Sequence, residues 1–394
     1  MVVAGGPLQV FLVQKTKEMG CFVLNTSLEN DSPGFQYADL YSATDVLDID
    51  KQLSIAVDFK PDAIVTDQSD LSVPTVAYLC ERLGLIGIGV KKADLFTNKH
   101  SMREFCSGNN VPYPDYCVCI SIEDAVQFLD KHGKIIIKPL DSQASKGVQT
   151  ILTPYDLLLH FENTKQFSRT RKAVLAEEFI EGTEFTVDGI KTFDKHISLA
   201  VSQKAHYKSY SNVASSLLFS HTSGEYDYNL LRGQNDSLVE KMGLPFGLTH
   251  AEYIERNGVF YLVEIAARGG GAQISSKIVP FMSGVQNTEL LIRMALGERI
   301  YASDVSIYQS YNNKKCILEF FVFNPGVVKE IKKTALDSCK DVLDYTLNIK
   351  PGEVIGVPSD DTKRPGYYIA GATSIRELNT IRNTIMKGVV VEYV

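Results

Sequence analysis

Residues 253–255 and 259–265 are rich in aromatic and β-branched side chains, and Arg256-Asn257-Gly258 between them is a turn signal. The expected outcome is a hairpin of two neighbouring antiparallel strands. Glu252 opens the first strand and Glu264 ends the second, so pairing across the turn brings both carboxylates to one end of the sheet. Arg268 follows four residues later and runs directly into Gly269-Gly270-Gly271. Two hard oxygen ligands beside a guanidinium suit a magnesium-bound phosphate, because the metal takes carboxylate and phosphate oxygens while arginine neutralises developing charge. A surface hairpin with solvated acids fits the same residues. The choice between the two rests on what the rest of the chain supplies.

Composition narrows the function classes. At 394 residues, with 44% apolar and 22% charged, the chain is long enough for two or three domains with cores of their own. A net charge of -7 argues against nonspecific nucleic-acid binding, which needs a basic face, and no nucleic-acid partner is expected. With no basic leader and no run of about 18 uninterrupted apolar residues, neither a signal peptide nor a membrane span is expected, and the cytoplasm is the expected location. The seven cysteines form no CxxC pair. Cys117 and Cys119 alternate along one strand face, where buried thiols are a simpler reading than zinc or a disulfide.

Taken in order, residues 2–4, Gly5-Gly6-Pro7 and residues 8–20 read as strand, glycine turn and amphipathic helix, with a second strand over 21–24. This opening lacks the GxGxxG spacing and a ribose-binding acid, so a nicotinamide site is not expected. A glycine turn before a helix still suits a small anionic group. A strand over 63–65, a helix over 73–83 and residues 85–88 complete a doubly wound unit ending near 95. A helix over 98–109 carries Lys99 and Arg103 on one face, locally a pair of solvated charges.

Next come a helix over 121–132 and an apolar strand ending in Lys138-Pro139. Residues 141–148 are small and flexible, and their backbone N–H groups with Ser142, Ser145 and Lys146 suit phosphates. The segment is not a P-loop: the GxxxxGK[ST] spacing is absent, and a strand over 148–152 follows where a helix is needed. A plain hairpin turn is the alternative. The strand over 172–179 leads into Glu177-Glu178-Phe179-Ile180-Glu181-Gly182-Thr183-Glu184, by itself an acidic turn. Lys204, His206 and His221 flank residues 209–227, which are rich in Ser and Tyr and expected to be loop. Residues 273–297 read as a helix pair interrupted by Pro280 and Gly284. A β-rich end follows, with strands over 316–323, 342–348 and 367–370, then a helix over 374–386 and residues 389–394.

In this order, the GGP start, Lys99, IIIKP with SxxSKG, EEFIEGTE, HAEY and VEIAARGGG resemble the ATP-grasp enzymes. The likeness is in particular to stand-alone carboxylate-amine ligases related to biotin carboxylase, carbamoyl-phosphate synthase and bacterial L-amino-acid ligases, and it runs over essentially the whole chain. The resemblance implies an α/β fold with an α+β core. Residues 1–95 would be a doubly wound, Rossmann-like pre-ATP-grasp domain, 96–305 a two-lobed ATP-grasp domain with a mobile lid about 131–190, and 306–394 a small β-rich C-terminal α+β domain.

The same resemblance implies ATP and magnesium (Mg2+), with manganese (Mn2+) as an alternative, and amide formation through an acyl phosphate with ADP and phosphate as products. Small-molecule carboxylate and amine substrates are the implied partners, and a homodimer is compatible. By position, Lys99 and Lys138 would bind phosphates, Lys138 also lying near the adenine and counted with Arg268 as catalytic. Ser142, Ser145, Lys146 and Gly147 would belong to a loop closing over the triphosphate. Glu177, Glu178, Phe179 and Ile180 would line the adenine edge, and Glu184 would reach the ribose. Glu252 and Glu264 would hold magnesium, Glu264 bridging two ions. Arg268 would stabilise the acyl phosphate and the tetrahedral adduct, with His250, Gly269, Gly270 and Gly271 at the substrate.

Two positions depart from the pattern. Ala266 stands where the family commonly has Asn, removing an oxygen ligand for a second ion, and Ala144 stands where glycine is frequent. A kinase, a bicarbonate-activating enzyme or an inactive ATP-binding protein on the same core are the alternatives.

Overall fold

The computed structural model describes residues 1–142, 145–169, 171–207, 210–305, 307–356 and 363–394; Ala144 lies outside them. The opening strands β1 (Val2–Val3), β2 (Leu24–Ser27) and β3 (Leu40–Ala43) pair in parallel in that order. The second strand starts at Leu24, not Cys21, because Gly20 turns the chain out of the helix Val10–Glu18 with φ +82° and the next residues only lead into the sheet. Residues 63–65 add a single bridge, Val2 to Val65. Among the described residues, 85–88 pair with no strand; Gly87 instead lies against Cys80 of the helix Ser72–Leu83. The first glycine turn serves packing: a Cβ on Gly5 would stand 2.3 Å from Asn25 Oδ1, and Asn25 donates to the carbonyls of Val2 and Ala4.

A second sheet holds β4 (Tyr116–Cys119), β5 (Ile135–Pro139), β6 (Gln149–Ile151) and β7 (Val174–Glu178) in the order β4-β7-β5-β6. The helices Ile122–His132 and Pro154–Gln166 cover one face, each opened by a capping box, Ser121 with Asp124 and Thr153 with Asp156. Strand alternation decides what faces where. Ile135, Ile137, Val174 and Ala176 join the helices in one core, which turns Ile136, Lys138 and Glu177 to the opposite side, into a cleft.

The cleft's other wall is an eight-stranded sheet. It comprises β8 (Thr183–Lys191), β9 (His196–Tyr207), β10 (Tyr210–Ser220), β11 (Gly247–Arg256) and β12 (Val259–Ala266), and it continues into the C-terminal strands. The C-terminal strands, of which β13, β15 and β17 belong to this sheet, are β13 (Lys315–Phe320), β14 (Gly326–Lys332), β15 (Val342–Leu347), β16 (Val354–Ile355), β17 (Gly366–Ala372) and β18 (Val390–Tyr393). The strand order is β12-β11-β8-β9-β10-β13-β17-β15, while β16, β14 and β18 form a smaller sheet. The expectation of loop over 209–227 is therefore corrected for residues 210–220. Antiparallel neighbours β9 and β13 on both sides give this Ser- and Tyr-rich stretch its backbone partners, and that pairing outweighs its turn-like composition.

The segment 273–297 also differs from a plain helix pair. A π-turn, Ile274–Ile278, leads into the helix Val279–Ser283 and, past Gly284, the helix Asn287–Ala295. Pro280 is the second residue of its helix, in the first turn, where the missing N–H costs nothing. Among the described residues no helix is long and apolar enough to cross a membrane.

Candidate active site

The hairpin forms as its turn signal requires, and Glu252 on β11 lies directly opposite Glu264 on β12. Like charges in that position repel, and two lysines relieve the repulsion. Lys99 Nζ lies 3.0 Å from Glu264 Oε1, and Lys204 Nζ lies 3.1 Å from Glu252 Oε2. His250 Nε2 adds a contact of 3.7 Å to Glu252. Burial alone would raise the Glu252 carboxyl, but Lys204 and His250 hold it well below the usual carboxylate range. Lys204 also reaches Glu184 at 3.2 Å, as does His206 at the same distance. Lys204 and His206 lie two apart on β9, so strand alternation points both to one face. That spacing was the signal for their joint role.

Across the cleft, Glu177 receives Lys138 at 2.6 Å and Arg103 at 2.8 Å. Arg103 is fully buried, not solvated: its helix, Lys99–Gly108, is wedged between the two sheets, and the guanidinium also donates to the Val263 carbonyl. Burial lowers the Lys138 ammonium, Arg103 and Lys99 push the same way, and Glu177 opposes them. The cleft between these groups holds a cavity of about 130 Å³, lined among others by Ser142, Ser145, Lys146, Glu178, Ile180 and Glu184. Lys99 ties the loop to this site by donating to the Ser142 carbonyl at 2.9 Å.

Two expected lining residues face elsewhere. The Phe179 ring lies under the Lys134 ammonium, 3.4 Å from the ring centre. Gly147, with φ +75°, packs where a Cβ would meet the Phe167 ring at 2.8 Å. Glu178 lines the cavity while pairing with Arg256 at 2.9 Å.

A second cavity, of about 480 Å³, opens beyond the hairpin and shares Ser145, Lys204, Glu252 and Glu264 with the first. Arg268 lines it, gripped by Asp70 through two hydrogen bonds of 2.9 and 2.7 Å. The grip keeps the guanidinium charged and holds Asp70 below its ordinary value in spite of burial. In the glycine run, the Gly269 amide donates to Asp67 at 2.8 Å and the Gly270 amide to Asp188 at 3.2 Å. Those two amides are thus spent inside the protein, and Gly271 is the residue of the run that lines the cavity. A Cβ on Gly269 would stand 2.2 Å from Ser275 Cβ. Burial works against a charged His250, but Asp188, 2.9 Å from Nδ1, raises it to about 9.

Sequence reasoning missed Asp67, Asp70 and Asp188. For the first two a signal existed, since both follow the end of residues 63–65 on a parallel sheet, where ligand-facing loops cluster. The donor set fits magnesium in one respect: Glu252 and Glu264 offer hard oxygens side by side, as an ion that keeps several waters and phosphate oxygens requires. Among the described residues no group of three acidic, His or Cys side chains forms a cage. Ala266, paired with His250 and buried, adds no oxygen.

Comparison with known proteins bears on this arrangement. The family described as ATP-grasp domain matches residues 132–277. The chain carries an ATP-grasp domain. Residues 319–394 match a second family, L-amino acid ligase C-terminal domain 2. Formate-dependent phosphoribosylglycinamide formyltransferase of Prochlorococcus marinus is 25% identical over 191 residues, covering 48% of this chain and 49% of that protein. The chain thus spans about half the length of this relative. Dapdiamide A synthase of Enterobacter agglomerans is 21% identical over 282 residues, covering 69% of this chain and 66% of its own. The crystal structure of L-amino acid ligase from Bacillus licheniformis superimposes with a TM-score of 0.83 at 17% identity, covering 100% of this chain and 98% of that one. The ATP-grasp domain therefore sits within a fold that a solved structure shares end to end.

Proposed function

We propose that this ATP-grasp protein is an ATP-dependent carboxylate-amine ligase working through an acyl phosphate. The observation that carries the reading is the Glu252–Glu264 pair, standing opposite one another at the junction of two cavities, each carboxylate held by a lysine. ATP occupies the smaller cavity, with its adenine end toward Glu177 and Ile180, its ribose at Glu184, and its phosphates toward Lys99, Lys138 and the loop of Ser142, Ser145 and Lys146. Magnesium, bound at Glu252 and Glu264, would supply charge neutralisation at the phosphates.

In the first step an oxygen of the acid attacks the γ-phosphorus, the bond to the β-phosphate oxygen breaks, and ADP departs. In the second, the amine attacks the acyl carbon, the carbon–oxygen bond to phosphate breaks, and inorganic phosphate leaves. The chain's own work is alignment and electrostatics. Lys99 and Lys138 offset charge on the transferred group. Arg268 is fixed by Asp70 and needs no reorganisation to meet the developing oxyanion. No side-chain nucleophile is required.

The dapdiamide synthase and L-amino acid ligase likenesses support the reading of acid and amine as substrates. Phosphate release assayed over pairs of acids and amines tests it. Release that requires both partners, with one ADP per amide, is the expected result. A stable phosphorylated product formed without amine would point to a kinase instead.

A further inference from the structure

The second cavity has two chemically distinct ends. One row of directly opposed residues crosses the eight-stranded sheet through Glu184, Lys204, Leu217, Leu318 and Ile369, and opposed residues on neighbouring strands share a face. Along that row the chemistry changes from charged to apolar between β9 and β10. The cavity follows the change. Its charged end holds Glu252, Glu264, Arg268 and His250, and its far wall is built of six apolar residues, Ala214, Leu217, Ile274, Leu318, Phe320 and Tyr367, with the Arg364 guanidinium 3.7 Å over the Phe320 ring centre. These six belong to the largest apolar core and are each at most 8% exposed. Among the described residues lining the cavity, the acids are Asp70, gripped by Arg268, and the hairpin pair itself. None of them stands on this wall.

We infer that the acid substrate carries an apolar body, an aliphatic or aromatic side chain, which packs on this wall while its carboxylate lies toward Arg268, and that Leu217 sets the length accepted. The inference rests on the ligase reading for which group reacts, but its physical basis is separate. A carboxylate is matched by Arg268, whereas a positively charged body would be desolvated against Leu217 and Leu318 with no acid on that wall to pair with. A cavity of about 480 Å³ lies within the range that takes a small molecule. Leu217 is the residue that adjoins Lys204 on one side and Leu318 on the other, so it stands where the body leaves the charged end.

The test uses the full chain loaded with magnesium and a non-hydrolysable ATP analogue. Binding of leucine, phenylalanine and lysine is measured by calorimetry, and turnover with ATP is followed with hydroxylamine as the amine, which traps acyl phosphates as hydroxamates. Leucine and phenylalanine should bind at least about tenfold more tightly than lysine. Leu217→Gln should remove that preference, and Leu217→Ala should move it toward phenylalanine, while analogue affinity reports that both variants are folded. Equal or tighter binding of lysine, no binding of any of the three, or an unchanged ranking in Leu217→Ala overturns the inference. Apolar acids that bind to the loaded protein but yield no hydroxamate would leave it standing and sink the ligase reading instead.

Discussion

Glu264 carries the most specific expectation at the level of single residues. Glu264→Gln keeps the shape but removes the charge that the proposed metal needs and that Lys99 balances at 3.0 Å. Phosphate release should fall by on the order of 100-fold or more, and unchanged activity would sink the metal assignment. His250 gives a pH-dependent expectation. Its folded value, about 9, lies above the ordinary 6.5, so its contribution to stability is complete below about 6.5 and is lost as pH rises through about 9. The size is on the order of 3 kcal/mol. Urea midpoints at about pH 6 and about pH 9.5 should therefore differ more in the parent protein than in His250→Gln. An equal difference in both proteins would show that the Asp188 contact contributes nothing to stability.

The helix Lys99–Gly108 is the element that joins the two walls of the cleft, through Arg103 to Glu177 and through Lys99 to Glu264 and Ser142. Arg103→Leu leaves Glu177 buried with Lys138 as its remaining ion-pair partner here. It should cost about 3–5 kcal/mol, with much of the loss recovered when Glu177 is also made apolar. Chemical denaturation of the single and double variants checks this, and a single variant as stable as the parent would contradict it. What was legible in the sequence follows the same division. Strand alternation and the Arg256-Asn257-Gly258 turn are local, so the hairpin, the facing of Lys138 and the opposition of Glu252 and Glu264 could all be read from neighbours. The burial of Arg103 and the grip of Asp70 on Arg268 could not. Their partners lie 74 and 198 residues away, and a charge at helical spacing looks the same whether solvent or a sheet faces it. The strand β10 was missed because composition spoke for a loop, while its two flanking strands decide its conformation.

Across the whole molecule, the eight-stranded sheet passes without a break from the segment matched as ATP-grasp domain into the segment matched as L-amino acid ligase C-terminal domain 2, through β10 and β13. Asp67 and Asp70 reach from the N-terminal unit to Gly269, Ser275 and Arg268. The larger cavity therefore takes its lining from all three parts of the chain, and its shape depends on how they pack together. That arrangement suits a reaction in which ATP is confined at one end and a variable acid is admitted at the other. In the proposed reaction the acid is activated by phosphoryl transfer to its own carboxylate. An acid labelled with heavy oxygen in both carboxylate positions tests this directly when the phosphate released during amide formation is analysed by mass spectrometry. One labelled oxygen is expected in each phosphate released. Phosphate that carries no label, while the amide still forms, would contradict it.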